Sequence, residues 1–316
     1  MNKGTLLALL FFTSSITYAQ TIQKLKTFKE VAAFLQKEIS KKYTFDSVFE
    51  GEDEIDTEDF NEVVQKIDLD NNGTTDLVID YIGDPIFIVN RGNTIYEEIK
   101  MLDVNRALEG EELASVAMKQ TDNKTMFIRE IKLPPYTTEN FKNVIIKKNQ
   151  KDFVYDREKK KMIEVVRDIQ FRLDTLEVKF GAFVEFNPNK QQLKNEIKEV
   201  HFETTPCYGS CPVFELKISS NGTLEYNGKR FTNFTGRKNL KLDSKQVEEL
   251  FALIEYTDVK NLKNNYYINA TDNPAVNLKV IFKKGDIKEI YDYGLMGTYN
   301  LRVIYNKLKQ IGSEIK

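Results

Sequence analysis

Between Val63 and Phe186 the chain repeats one local pattern: short runs rich in β-branched and aromatic residues, each closed by a polar turn. The runs are DLVIDYI (76–82), PIFIVN (85–90), TIYEEI (94–99), LASVAM (113–118), TMFIREI (125–131), NVIIKK (143–148), DFVYD (152–156) and IEVVRDIQFRL (163–173). Such runs read as strands. Parallel strands need long crossover connections, and these links leave no room for them, so neighbouring strands must pair antiparallel. TLEVKFGAFVEFNPNKQQ (175–192) ends the region, with Asn187-Pro188-Asn189 as the expected boundary and Pro134-Pro135 as a weaker one.

The flanks follow a different period. Upstream, Thr27 and Glu30 form a capping box before Val31, Phe34 and Leu35, which share one helical face. FEGEDEIDTEDFNE (49–62) lacks the turn residues that would make its acids converge, and reads as a solvated loop. Downstream, VFELKI places Phe214, Leu216 and Ile218 on one face and turns at Asn221-Gly222 into TLEYNG. A helix is predicted over 243–256, capped by Asp243, with Val247, Leu250, Phe251 and Ile254 at helical spacing. VNLKVIF and IKEIYDY form a hairpin around Lys284-Gly285-Asp286. A last helix buries Leu301, Ile304, Tyr305 and Leu308 and is expected to stop at Gly312. The predicted class is α+β: an N-terminal helix with an antiparallel β-meander over 20–190, then a β-β-α-β-β-α domain over 197–312.

MNKGTLLALLFFTSSITYAQ has an early Lys3, an apolar run from Leu6 to Phe12 and small residues at Thr17 and Ala19. That is the pattern of a secretory signal peptide over 1–19, cleaved after Ala19. A membrane span needs about 20 apolar residues, far more than this run has. The expected location is therefore periplasmic or extracellular, without a membrane span. Lys and Arg number 46 against 48 Asp and Glu, and no basic cluster alternates with aromatics, which excludes nucleic acid as a partner.

The chain has two cysteines, Cys207 and Cys211, in TTPCYGSCPVF. In an oxidising compartment an isolated pair reads as a disulfide. Gly209 supplies the positive φ of a tight loop and Pro212 stiffens its exit. Two weaker readings stay open. A redox-active pair would use Cys-x-x-Cys at a helix start, whereas this spacing is one longer and leads into a strand. A zinc or nucleophile site would recruit His201, which still leaves zinc one ligand short and sits about 20 Å from Cys207 along an extended strand.

HFETTPCYGSCPVFELKISSNGTLEYNGKRF, with the helix at 243–256 and KEIYDYG before the last helix, resembles a bacterial domain of unknown function, family 6438. That family is marked by Cys-Phe-Gly-Thr-Cys-Pro-Val-Tyr followed by a hairpin; Tyr208, Ser210 and Phe214 depart mildly from it. The resemblance covers about 197–312 and implies a domain without implying a reaction.

A second motif is DLDNNGTTDLVI. Asp68, Asp70, Asn72 and Asp76 stand at positions 1, 3, 5 and 9, with Gly73 at 6 and the Thr74 carbonyl at 7. Alternate side chains around a glycine turn converge oxygen ligands, the chemistry of Ca2+. An EF-hand would need a glutamate at position 12, where Ile79 stands. The loop is similar to the single calcium loops of integrin-type propeller repeats, present here in one copy. The bland alternative is an Asn-Gly hairpin with acidic side chains kept for solubility.

One histidine and two cysteines are a poor inventory for nucleophilic or transition-metal chemistry. The expected function is an exported, non-enzymatic binding or surface protein with an unknown protein or glycan partner, rigidified by a disulfide and Ca2+. The alternatives are an envelope hydrolase or thiol oxidoreductase, and an inhibitor-like module presenting loop 207–211. Tyr291 and Tyr293 of IYDYGLMGTY either line a carbohydrate or peptide groove or belong to the core; the core is the favoured reading.

Overall fold

The computed structural model describes residues 22–49, 60–81, 85–102, 112–121, 124–133, 144–156, 158–188, 194, 196–268 and 271–316. The leader at 1–19, the acidic stretch 50–59 and Pro134-Pro135 lie outside them. The chain is mostly antiparallel β-structure with some helix. It divides into two compact units, 22–67 with 74–98 and 68–73 with 99–316, so residues 99–188 share a unit with the C-terminal sheet.

The first unit begins with α1 (Phe28–Glu38). Thr27 accepts from the Glu30 amide at 3.2 Å while Glu30 accepts from the Thr27 amide, the reciprocal cap its sequence predicts. Short α2 (Phe45–Phe49) and α3 (Phe60–Val63) follow. Then come β1 (Val64–Ile67), β2 (Asp76–Ile79), β3 (Ile86–Asn90) and β4 (Tyr96–Ile99), which hydrogen-bond in that order as an antiparallel meander. Val31, Phe34 and Leu35 pack with Leu77, Ile79 and Ile88 in one apolar core. Phe28 anchors it with edge contacts to Phe49 and Phe60, ring centroids 4.7 and 5.1 Å away.

The second unit holds two sheets. β5 (Glu112–Thr121), β6 (Lys124–Lys132), β7 (Val144–Asp156), β8 (Lys161–Lys179) and β9 (Ala182–Glu185) form one, in the order β5-β6-β8-β7 with β9 on the far end of β8. Two pairs of expected runs merge here. NVIIKK and DFVYD are one strand crossing a bulge between Lys147 and Gln150, where Asn149 takes φ 52° and its amide donates to Asp168. IEVVRDIQFRL and TLEVKF form a single 19-residue strand, because nothing between them turns the chain.

The other sheet is built from β10 (Ile197–Thr204), β11 (Val213–Ser219), β12 (Thr223–Arg230), β13 (Gly236–Lys241), β14 (Asn265–Tyr267), β15 (Ala275–Phe282) and β16 (Ile287–Tyr293). Their order is β13-β12-β11-β10-β15-β16-β14. β13 and β14 escaped the sequence pattern because neither shows apolar alternation; both are edge strands. β14 pairs parallel with β16, unlike the antiparallel pairs of the rest of the sheet.

Helix α5 (Tyr299–Glu314) packs on the apolar face of this sheet, and α4 (Ser244–Tyr256) packs beside α5. Tyr305 of α5 stacks on Phe202 of β10, centroids 6.0 Å apart. The other side of the helices meets the five-stranded sheet through polar contacts. Asn300 accepts from the Glu185 amide at 2.8 Å, Tyr256 donates to Glu177 at 2.7 Å, and the Arg129 guanidinium lies 4.7 Å from the Tyr299 ring centre. One expectation needs correcting: Gly312 does not end α5, which runs to Glu314. A Cβ at 312 would sit 2.7 Å from the Phe214 ring, so glycine is there to let the helix approach the sheet.

Candidate functional site

Three places carry chemistry. The first is the turn between β1 and β2. Carboxylate oxygens of Asp68, Asp70 and Asp76 lie within 4.8 Å of one another. Gly73 takes φ 83° and Asn71 φ 59°, which curls the backbone around Asp68. Asp68 then accepts from the amides of Asn72 at 3.1 Å and Gly73 at 2.9 Å, and Asp70 accepts from Asn72 at 3.2 Å. Asp76 is fully buried and accepts from the Asn90 amide at 2.7 Å. The Thr74 hydroxyl donates to the Asn90 carbonyl at 2.7 Å, which steadies the turn against β3. The Asn72 side chain is exposed. Three carboxylates meeting at one turn offer hard oxygen donors of the kind Ca2+ takes.

The second place is the loop joining β10 to β11. Cys207 and Cys211 lie at disulfide distance, with Sγ atoms 1.88 Å and Cα atoms 5.7 Å apart. Gly209 has φ 135° with open space around it, so its role is conformational and not a matter of close packing. Thr204 ties the base of the loop: its hydroxyl donates to the Pro212 carbonyl at 2.8 Å and accepts from the Phe214 amide at 3.1 Å. Tyr208 projects from the tip, 89% exposed. His201 is not part of this loop; it points to the outer face of the sheet, where its Nε2 pairs with Glu199.

That outer face is the third place, and residue-by-residue reading did not reveal it. Strand register lines up two polar rows across the sheet. One runs Arg237, Asn227, Glu215, Glu203, Asn277, Tyr291 and Asn265; the other runs Asn239, Glu225, Lys217, His201, Lys279 and Glu289. These residues line a groove of about 880 Å³. Tyr291 belongs to it, 42% exposed, and not to the core that its alternation suggested.

The groove's charges are cross-linked. Glu203 and Glu215 face each other, and Lys229 bridges them, 3.2 Å from Glu203. Lys217 lies 3.2 Å from Glu225 and Lys279 2.7 Å from Glu289. Hydrogen bonds from Lys229 and Asn227 hold the Glu215 pKa below the usual glutamate value. At Glu199 burial works the other way, but hydrogen bonds from His201 and Ser219 and the Lys217 charge outweigh it and lower the pKa. The only hint in the sequence is the run of polar residues between the inward apolar ones on β10, β11 and β15. Which of them become neighbours is set by register.

Residues 198–312 match the family model of a domain of unknown function, DUF6438, in agreement with the resemblance carried by the cysteine loop. No curated protein matches the chain. Among the described residues no helix is long and apolar enough to cross a membrane.

The pairing of the chain's two cysteines across a five-residue loop makes a direct prediction. Chain produced in an oxidising compartment should carry no free thiol, and alkylation before reduction should add no mass. Cys207→Ser and Cys211→Ser should each cost about 2 kcal/mol by the loop-entropy relation, with the fold retained. Urea melts would show this; two labelled cysteines in the unreduced protein would contradict it.

Proposed function

We propose that this is an exported, non-enzymatic binding protein of the cell envelope or surface, whose ligand lies across the outer face of the seven-stranded sheet. The groove is the observation that carries the reading. Seven strands at about 4.8 Å spacing make a surface on the order of 30 Å wide, long enough for an extended polymer crossing the strands. Its floor of amides, paired carboxylates and one exposed tyrosine suits a polyhydroxylated chain. Planar polar groups exchange hydrogen bonds with sugar hydroxyls, and an aromatic face covers a sugar ring. A glycan is therefore the favoured ligand over a peptide. The leader-like residues at 1–19 support export.

Catalysis is disfavoured by the state of the acids. A general acid must have a proton to give, whereas each carboxylate of the groove lies beside an ammonium group: Glu203 and Glu215 at Lys229, Glu225 at Lys217 and Glu289 at Lys279. A second reading, an inhibitor-like module presenting loop 207–211, draws its support from Tyr208, which stands exposed on a constrained loop.

Ca2+ is the proposed structural ion of the 68–76 turn, held by Asp68, Asp70 and Asp76 with Asn72 and the Thr74 carbonyl as further ligands. Without a cation, three close carboxylates repel one another.

Two tests follow. Titration against a panel of soluble oligosaccharides and, separately, peptides should find a glycan whose affinity falls about tenfold or more in Tyr291→Ala and Asn277→Ala, the loss of a stacked ring or a hydrogen bond. Peptide binding through Tyr208 instead would favour the inhibitor reading, and glycan binding indifferent to both substitutions would reject the groove. For the turn, 2 mM Ca2+ against a dissociation constant of about 0.1 mM stabilises the native state by roughly 1.8 kcal/mol. That amounts to a few degrees in Tm. Asp70→Ala should lose this shift while keeping an unchanged or slightly higher melting point in chelator. A flat wild-type response leaves the turn as a plain hairpin.

A further inference from the structure

The hairpin made by β7 and β8 outruns its sheet. β6 pairs with β8 only at 171–176, and Leu133 adds one bond to the Gln170 carbonyl, while β7 and β8 stay paired out to Asp156 and Lys161. Past Gln170, towards the tip, the ribbon has two strands, and among the described residues neither outer edge is paired. Such a ribbon is marginally stable in water without something to pack on.

Its two faces differ. On one, Asp152 is buried and accepts from Lys132 and Arg167. On the other, register places Tyr155 opposite Met162, Phe153 opposite Glu164, and Lys151 opposite Val166. Phe153, Tyr155, Met162 and Val166 are 62, 55, 55 and 63% exposed, an apolar stripe in water. Glu164, the acid within this stripe, is paired with Lys151 at 3.0 Å. The turn that closes the ribbon carries three consecutive exposed lysines, Lys159, Lys160 and Lys161. Of the nearby acids, Asp156 pairs with Lys159 at 3.3 Å and Glu158 stands beside it in the turn.

We propose that the β7–β8 ribbon is a docking element for the surface of an anionic lipid bilayer. Aromatic, methionine and valine side chains enter the boundary between headgroups and acyl chains, and the adjacent lysines keep their ammonium groups at the phosphates. The lysine run selects this occupant. A second copy of the chain would bring the same positive charge against it, and lysines beside an open edge oppose strand addition by another protein. This goes beyond the groove reading and does not depend on it.

The chain contains no tryptophan, so Phe153→Trp creates a single fluorescent reporter without background. With phosphatidylcholine vesicles containing phosphatidylglycerol, its emission should shift to the blue; with phosphatidylcholine alone it should not. Tyr267→Trp, on β14, should stay unshifted in both. Replacing Lys159, Lys160 and Lys161 together by Gln should weaken co-sedimentation with the anionic vesicles about a hundredfold, close to fivefold per lysine. Raising the salt should weaken it further. No blue shift at 153 on anionic vesicles would overturn the proposal. So would a shift that grows with protein concentration in the absence of lipid, the sign of self-association.

Discussion

Arg129 is a fully buried cation in the middle of β6, and the second unit is assembled around it. Taking a guanidinium out of water costs several kcal/mol unless its hydrogens find acceptors. Nη1 donates to the Leu102 carbonyl at 2.6 Å and Nη2 to Asp174 on β8 at 2.9 Å, while the plane lies over Tyr299 at the start of α5. Among the described residues Nε has no partner, so the two Nη bonds and the Tyr299 ring carry the compensation. Three chain segments must be in place before this charge can be buried. The consequence reaches the candidate site. α5 continues from Tyr299 to Gly312, which meets Phe214 of β11, and it stacks Tyr305 on Phe202 of β10. The inner face of these two strands is thereby clamped, and their outer faces carry Glu203, Glu215, Lys217 and His201 to the groove.

The two faces of β10 and β11 show how one alternation serves two ends. Inward residues are mostly apolar; outward residues are charged or polar and pair across strands. In the groove almost every charge has a near partner, which leaves a rigid, nearly neutral lattice of donors and acceptors. The tip of the β7–β8 ribbon is the opposite case: lysines crowd one turn beside exposed aromatic carbons. A neutral lattice suits a hydroxyl-rich chain, and a crowded positive tip suits a negatively charged surface. The two proposed ligands rest on these different charge arrangements on one scaffold.

Much of this architecture is legible in local sequence. Period-two runs and short polar turns require antiparallel pairing, and the Thr27–Glu30 box places α1 because capping is a contact over three residues. The spacing of Asp68, Asp70 and Asp76 around Gly73 is likewise local, and the structure brings their oxygens together. What escapes is set at long range. Glu203 and Asn277 hydrogen-bond although 74 residues apart, a consequence of strand register that no single run encodes. Gly312 reads as a helix stop because glycine often is one; only the packed Phe214 ring explains it. Tyr291 reads as core because alternation does not say which face is covered.

The most direct measurement of the role of Arg129 is native-state hydrogen exchange of the wild type and Arg129→Ala. Breaking a buried charge pair costs about 3–5 kcal/mol, and a cooperative unit loses protection as one. If the second unit is organised around Arg129, amides of β6, β8, α5 and β11 should lose protection together and by similar amounts. If β6 and β8 alone lose it while α5 and β11 keep wild-type protection, the C-terminal sheet and its helices stand by themselves, and the account of how the groove is held in place is wrong.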